Sequence, residues 1–450
     1  MAYREGAAKG EIDALPRVLT LRDATMLVVS SVIGVGIFFT PGGVAKLLPS
    51  PGWFFAAWLA GGVLALAGSL ANAELGSMFP RAGGNYVYLR AAYHPMAGFL
   101  VGWLSFFAIF AGTVATLALG FTISLGSFVT LGPTSKIVVA IAVIWIATVV
   151  NAYATRAGAR LNTITGYLKV AALIVIVFVG PIIGHGRAAA APLESAGTAT
   201  LSGFGVALSP VLFSYLGWNA SVYVAGEIES PGKNLPRSLF LGLGICTAFY
   251  LLVNGTYIYA LGMRALSSDQ GPPVGFAAGK VLFGASGSDV VAGIMLVSIF
   301  GCLNANVLVG PRIAYAMATD GLFFRGAAHL SSASQTPWIA VVVQATMATV
   351  LVLVFNKFSN ALDYTTFAIV VATIADTSAL YVLRFRDPHR ARPYRAAGYP
   401  WVPALYILAN LAIAFSMLRA KPFECLTSLG VLLAGAPVYL LFVARRRAAD

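Results

Sequence analysis

Apolar residues gather in long runs between Leu21 and Val443, and polar residues gather between the runs in short stretches rich in Arg, Lys, Pro and Gly. A helix rises about 1.5 Å per residue, so each run of 18 or more residues can cross about 30 Å of hydrocarbon. The pattern predicts an all-α integral membrane chain with twelve transmembrane helices, over residues 22–47, 52–78, 95–125, 136–152, 161–184, 202–227, 237–263, 288–319, 337–355, 360–384, 400–418 and 425–444. An even number puts both termini on one side. Within the connection 264–287, residues 273–283 read as a short helix lying on the surface.

Composition points the same way. The 450 residues are 59% hydrophobic and only 10% charged, against about 25% charged in a soluble domain. Residues 1–450 read as one polytopic domain with no soluble or low-complexity segment. Met1 to Thr20 has neither the apolar core nor the cleavage site of a secretory signal, and is expected to be a short cytoplasmic tail. The net charge of +13 could suit nucleic acid, but most of it lies in short loops between spans, so no nucleic-acid partner is expected. With the N-terminus taken as inside, 20 of the 29 Lys and Arg residues fall on its side and eight on the other, Lys169 lying within a span. That bias puts both termini in the cytoplasm. The run Arg384, Arg386, Arg390, Arg392 and Arg395 contributes most, and could also bind lipid headgroups.

The chemistry of enzymes is hard to find. Cys246, Cys302 and Cys425 give neither a disulfide framework nor zinc spacing. His94, His185, His329 and His389 fall in loops or at span ends, and no metal cluster, nucleophile–base set or phosphate loop is evident. No catalytic residue, metal or cofactor is expected. A channel would need a continuous polar pore, and the spans are too apolar for one outside two breaks.

The breaks are the informative features, because interrupting a membrane helix at mid-depth is costly unless it lines a cavity. The first span contains Ser30-Ser31-Val32-Ile33-Gly34-Val35-Gly36-Ile37-Phe38 and then Thr40-Pro41-Gly42-Gly43. Its glycines either let a ligand touch backbone or let another helix pack closely. The sixth span contains Ser209-Pro210, then Phe213-Ser214-Tyr215-Leu216-Gly217-Trp218-Asn219 and Gly226-Glu227. Pro210 removes a backbone donor, and the mixed polar and aromatic stretch is unlike lipid-facing helix. Breaks in spans one and six are what two inverted five-helix repeats predict, with substrate held near the midplane between half-helix ends. Free N–H groups suit a carboxylate and unwound carbonyls an ammonium. An α-amino acid carries both on one carbon.

Four stretches together resemble the amino acid–polyamine–organocation superfamily, and within it the L-type amino acid transporters and their bacterial relatives. They are Ile33 to Phe38; Ala73-Glu74-Leu75-Gly76 with Pro80 and Gly83 to Tyr88; Phe213 to Asn219 with Gly226-Glu227-Ile228 and Pro231 to Pro236; and Arg392-Pro393-Tyr394 with Gly435 to Tyr439. The resemblance implies a LeuT-like 5+5 inverted repeat with broken helices 1 and 6: repeat one about 22–184, repeat two about 202–384, and two extra helices about 400–444. It implies a substrate carboxylate on the amides of Gly34, Val35 and Gly36, and an amine on carbonyls near Val32, Ile33, Phe213, Ser214 and Leu216. Phe213 would be the aromatic gate, and Asn219 a polar group at the border of the site.

The implied function is sodium-independent secondary transport of neutral L-amino acids by alternating access, as an exchanger in a bacterial inner membrane. Proton-coupled symport is the alternative. Val35 and Leu216 depart from common family residues, Leu216 arguing against large or cationic side chains. The segment Gly126 to Lys136 has no cysteine, so no covalently linked glycoprotein partner is expected; the partners are the amino acid and membrane lipid.

Ionisable residues at depth are functional suspects. Glu74 could brace helices or serve transport, and Asp376 could be a structural hydrogen-bonding group or a proton relay. A lysine at the bilayer centre costs roughly 2.5–3.5 kcal/mol, so Lys169 is expected to face protein rather than to snorkel outward. By the resemblance, its ammonium stands where sodium-coupled carriers of this architecture hold sodium. It would bond to carbonyls of the first span and to the eighth near Ser298 and Cys302.

Overall fold

The computed structural model describes residues 17–153, 155–183, 197–268, 273–284, 286–331 and 336–447. The expected tail before Arg17 and most of the connection from Arg187 to Thr200 lie outside them.

The helices are α1 (Leu21–Val32), α2 (Gly36–Leu47), α3 (Pro51–Met78), α4 (Asn85–Ala92), α5 (Pro95–Leu125), α6 (Pro133–Tyr153), α7 (Arg160–Ile182) and α8 (Leu201–Ser214). There follow α9 (Ala220–Tyr223), α10 (Pro231–Leu266), α11 (Val274–Phe283), α12 (Gly287–Thr319), α13 (Trp338–Phe355), α14 (Phe358–Arg386), α15 (Trp401–Ala420) and α16 (Pro422–Arg447). Several begin on Pro51, Pro95, Pro133, Pro231 or Pro422, where the fixed φ suits a first turn and the missing N–H is not needed. Thr20 and Asp23 cap α1 reciprocally, the Thr20 N–H donating to Asp23 Oδ2 at 3.1 Å and the Asp23 N–H to Thr20 Oγ1 at 3.3 Å.

Among the described residues, ten helices are long and apolar enough to cross a membrane, or eleven when the bent pair α1–α2 counts as one span. The expected sixth span falls short of that length, because its helix stops at Ser214 and α9 is four residues long. Among the described residues, sheet is confined to an isolated parallel bridge between Leu19 and Ile228. Large aliphatic side chains such as Leu59, Val63, Val138, Ile146, Leu405 and Leu433 point outward, as lipid demands and water would not. The protein is a multi-pass helical membrane protein.

The core forms around α1, which packs on α7, α10 and α12. The short helix α11 differs from its expectation. Val274, Gly275, Phe276, Ala278, Gly279 and Leu282 are buried, and Gly275 and Gly279 let it sink against Phe38 of α2 and Val291 of α12. It is wedged into the fold rather than laid on it.

Candidate functional site

The first break begins where Ile33 leaves the helical region (φ −74°, ψ 87°) and the Gly34 N–H turns back to the Val32 carbonyl at 2.8 Å. The chain restarts as α2 at an angle of 46° to α1. Ending a helix inside the membrane strands the carbonyls of its last turn, and here side chains from three other helices take them. Lys169 Nζ of α7 donates to Ser30 O at 2.7 Å and lies 3.4 Å from Ser30 Oγ. Cys302 Sγ of α12 meets Ser31 O at 3.0 Å, the Tyr250 hydroxyl of α10 meets Val32 O at 2.8 Å, and Ser298 Oγ of α12 meets Ile33 O at 3.3 Å. Lys169 is 2% exposed and faces protein. Room for it comes from Gly301, where a Cβ would stand 3.1 Å from Lys169 Cε. Its ammonium bonds neither Ser298 nor Cys302 among the described residues; both reach the first break directly.

The second break follows Ser214. The Tyr215 and Leu216 N–H groups bond back to Leu212 O and Phe213 O, both at 3.0 Å, and the chain then turns at Gly217 with φ +91°. A Cβ there would lie 2.6 Å from Ser31 Cβ, so both the left-handed backbone and the contact between breaks require glycine. Tyr250 ties the breaks together, since its hydroxyl also sits 2.6 Å from Ser214 O. Thr40 Oγ1 and Ser214 Oγ are 2.9 Å apart, and a Cβ on Gly36 would fall 2.7 Å from Ser214 Cα. Gly34 similarly abuts Cys302 Sγ, at 3.0 Å from a built Cβ. Close packing thus accounts for both glycines. The N–H groups of Val35, Gly36 and Ile37 have no backbone acceptor among the described residues.

Two sets of contacts hold the helices around the breaks. An aromatic string runs Phe213–Phe358–Phe39–Phe276, with centroids 6.0, 5.5 and 6.3 Å apart. Ion pairs tie the helix ends together. Arg312 Nε meets Glu227 Oε1 at 3.1 Å, and Asp320 pairs with Arg90 and accepts from the Tyr86 hydroxyl at 2.6 Å. Burial, and then the Asp320 carboxylate, raise the Tyr86 hydroxyl above the usual phenol range, so it stays a donor. Glu74, fully buried, accepts from Arg384 at 2.5 and 3.0 Å and from the Ala396 N–H at 2.7 Å, with Arg392 Nε 3.2 Å away. Glu74 is therefore a brace for the segment after α14, and two arginines of the basic run turn inward to it rather than toward lipid headgroups.

Beside the second break lies a cavity of about 30 Å³, room for a water or two. Leu216 and Asn219 line it with Ser31, Thr113, Asn306 and Asp376. Ile109 and Phe110 also reach it, from a π-helical turn (Ser105–Phe110) within α5.

Residues 19–435 match the amino acid permease family, nearly the whole described chain. The chain belongs to that family. The permease is 32% identical to the serine/threonine exchanger SteT of Bacillus subtilis (strain 168) over 95% of this chain and 97% of that one. It is 28% identical to the large neutral amino acids transporter small subunit 2 of Rattus norvegicus, over 98% of this chain and 83% of the relative. It is 27% identical to the human b(0,+)-type amino acid transporter 1, over 96% and 88%. Family and relatives are transporters rather than enzymes, and the superfamily resemblance in the sequence is upheld: the permease is an amino acid transporter.

The fold brings the expected residues of the permease into two groups. Val32 to Gly36, Phe213 and Ser214 meet where the breaks cross, with Lys169, Ser298 and Cys302 behind them; Leu216 and Asn219 face the cavity with Asp376. Sequence reasoning missed Tyr250, which bonds to both breaks. In the run Thr247-Ala248-Phe249-Tyr250-Leu251-Leu252 it looks like one more aromatic filler; its partners lie 218 and 36 residues away.

Proposed function

We propose that the permease is a sodium-independent exchanger of neutral L-amino acids, working by alternating access across a bacterial inner membrane with both termini cytoplasmic. On this reading the single domain 1–450 crosses twelve times. The spans broken at Ile33–Val35 and Tyr215–Asn219 are the first and sixth, in inverted repeats of about 22–184 and 202–384, and the helices of 400–444 are added to them.

The observation that carries this reading is the ammonium of Lys169 on Ser30 O at 2.7 Å. A carrier that needs a sodium ion to bridge its first span to the scaffold has that bridge here as a side chain. Ser298 and Cys302 extend the same bridge to Ile33 and Ser31.

The substrate carboxylate takes the amides of Val35 and Gly36, and that of Gly34 once its turn onto Val32 opens. The ammonium takes the carbonyls of Val32, Ile33, Phe213, Ser214 and Leu216, since an engaged carbonyl keeps a second lone pair. Phe213 closes the site, and Leu216 and Asn219 bound the side-chain space. Exchange of neutral substrates is supported by the names of the relatives, a serine/threonine exchanger and a large neutral amino acids transporter. The latter is named a small subunit, but this chain offers no cysteine between Gly126 and Lys136 for a covalent link to a second chain.

The test is uptake of labelled serine by proteoliposomes, with and without internal unlabelled serine and with and without sodium. Uptake into preloaded vesicles only, at equal rates in sodium and choline, is expected. A sodium-driven accumulation, or equal uptake into empty vesicles, would refute the reading.

A further inference from the structure

Asp376 is 1% exposed, and among the described residues neither of its carboxyl oxygens has a hydrogen-bond partner. The acids of the ion pairs above are matched: Glu74 to Arg384 and Arg392, Glu227 to Arg312, Asp320 to Arg90. The groups facing Asp376 are neutral hydroxyls and amides. Tyr88 approaches from α4, Tyr223 from α9 and Tyr406 from α15, each near enough to sense its charge. In the cavity, α5 contributes Thr113 and α12 contributes Asn306. The acid of α3, Glu74, is already paired, and that of α16, Glu424, lies near the Lys421–Asp363 ion pair at the start of α14. The Tyr88 hydroxyl is itself without a hydrogen-bond partner among the described residues.

An ionised carboxylate without donors or a cation is among the costliest groups a protein can bury, whereas a neutral carboxyl is tolerated. The cavity is walled by Ser31 of α1, by Leu216 to Asn219 of the second break, and by α5, α12 and α14. Movement of the broken helices would therefore open it to water. We propose that Asp376 is a proton-binding group of the transport cycle: it carries a proton whenever the cavity is closed and gives it to water when the cavity opens. Before each closure the carboxylate must take a proton from the side to which the cavity opens. Exchange then slows as pH on that side rises, although neither amino acid carries net charge. The proposal rests on alternating access, as above, and adds a proton to it.

The experiment is serine counterflow in proteoliposomes with the pH of each face varied separately, for the wild type and Asp376→Asn. The wild type is expected to lose roughly tenfold in rate per pH unit on one face, in the limit where one proton must bind. The amide, which is permanently neutral, is expected to exchange at every pH tested with a flat profile. Asp376→Ser serves the same arm should the amide not assemble. Infrared spectra of both proteins give a readout that needs no transport: at neutral pH the wild type should show the C=O band of a protonated carboxylic acid that the variant lacks. A shared pH profile, or no such band, overturns the proposal. So does a variant whose substrate range shifts while its pH profile stays, since Asp376 would then recognise substrate. Failure of wild-type counterflow itself would instead strike at exchange, leaving the infrared result to judge Asp376.

Discussion

Lys169 and Asp376 are both buried ionisable groups beside the broken helices, yet the fold treats them in opposite ways. The lysine ammonium has a backbone carbonyl at 2.7 Å and a hydroxyl at 3.4 Å; the aspartate oxygens have no hydrogen-bond partner among the described residues. Around Lys169, four consecutive carbonyls of the first break are each met by a side chain of another helix. Around Asp376, a cavity separates the helices. A charge that has partners can hold two elements together. A charge left without partners is stable in one protonation state only and changes state when its surroundings do. The first arrangement suits a strut and the second a switch.

That contrast is broken most severely at the strut. Lys169→Ala removes a charge-assisted hydrogen bond, worth about 1.5–3 kcal/mol, and leaves Ser30 O with no donor from α7. Counterflow is expected to fall about 10- to 150-fold, while size-exclusion profiles stay monodisperse. Normal flux in this variant would show that the first break does not depend on the lysine.

The brace at Glu74 ranks next for the transport cycle, although its cost to the fold is the larger one. Glu74→Ala strands two guanidinium groups, one of them nearly buried, and breaking a buried pair costs about 3–5 kcal/mol. Its signature differs from that of Lys169→Ala: thermal stability in detergent and yield should drop together with transport. A variant as stable as the wild type but inactive would move Glu74 from bracing into the transport chemistry.

Smaller again is Tyr250→Phe. It leaves the ring against Trp58 and Tyr215 and deletes a hydroxyl shared by Val32 O and Ser214 O, a neutral bond worth about 0.5–1.5 kcal/mol. Exchange is expected to change by about 2- to 12-fold with folding intact. Unchanged kinetics would mean that the two breaks move independently. Smallest of all is Cys302→Ser, which offers Ser31 O a better donor in place of a thiol. Its rate should stay within about twofold of the wild type, and a large loss would show that the sulfur's size against Gly34 matters more than its hydrogen bond.

The span pattern was legible because membrane crossing is written locally, in runs of apolar residues. Expected and observed ends agree within a few residues for most helices, and the bend at Ile33 to Val35 falls inside the glycine-marked stretch. Lys169 was legible too, since a lysine eight residues into an apolar run has few alternatives. What escaped were pairings set in three dimensions. Glu74 and Arg384 stand 310 residues apart, Ser298 and Ile33 stand 265 apart, and nothing local in either member names the other. The apolar face of α11 was read as surface because its partners, Phe38 and Val291, come from distant segments. The isolation of Asp376 is the extreme case, for the lack of a partner is a property of the whole fold around a residue and leaves no trace in its neighbours along the chain.

The most direct test of the strut is to compare wild type and Lys169→Ala for serine counterflow in proteoliposomes, each in sodium and in choline. The account predicts wild-type flux that is the same in both media and a folded variant about 10- to 150-fold slower in choline. A sodium gradient that drives uptake by the wild type, or normal flux in the variant in choline, would contradict it.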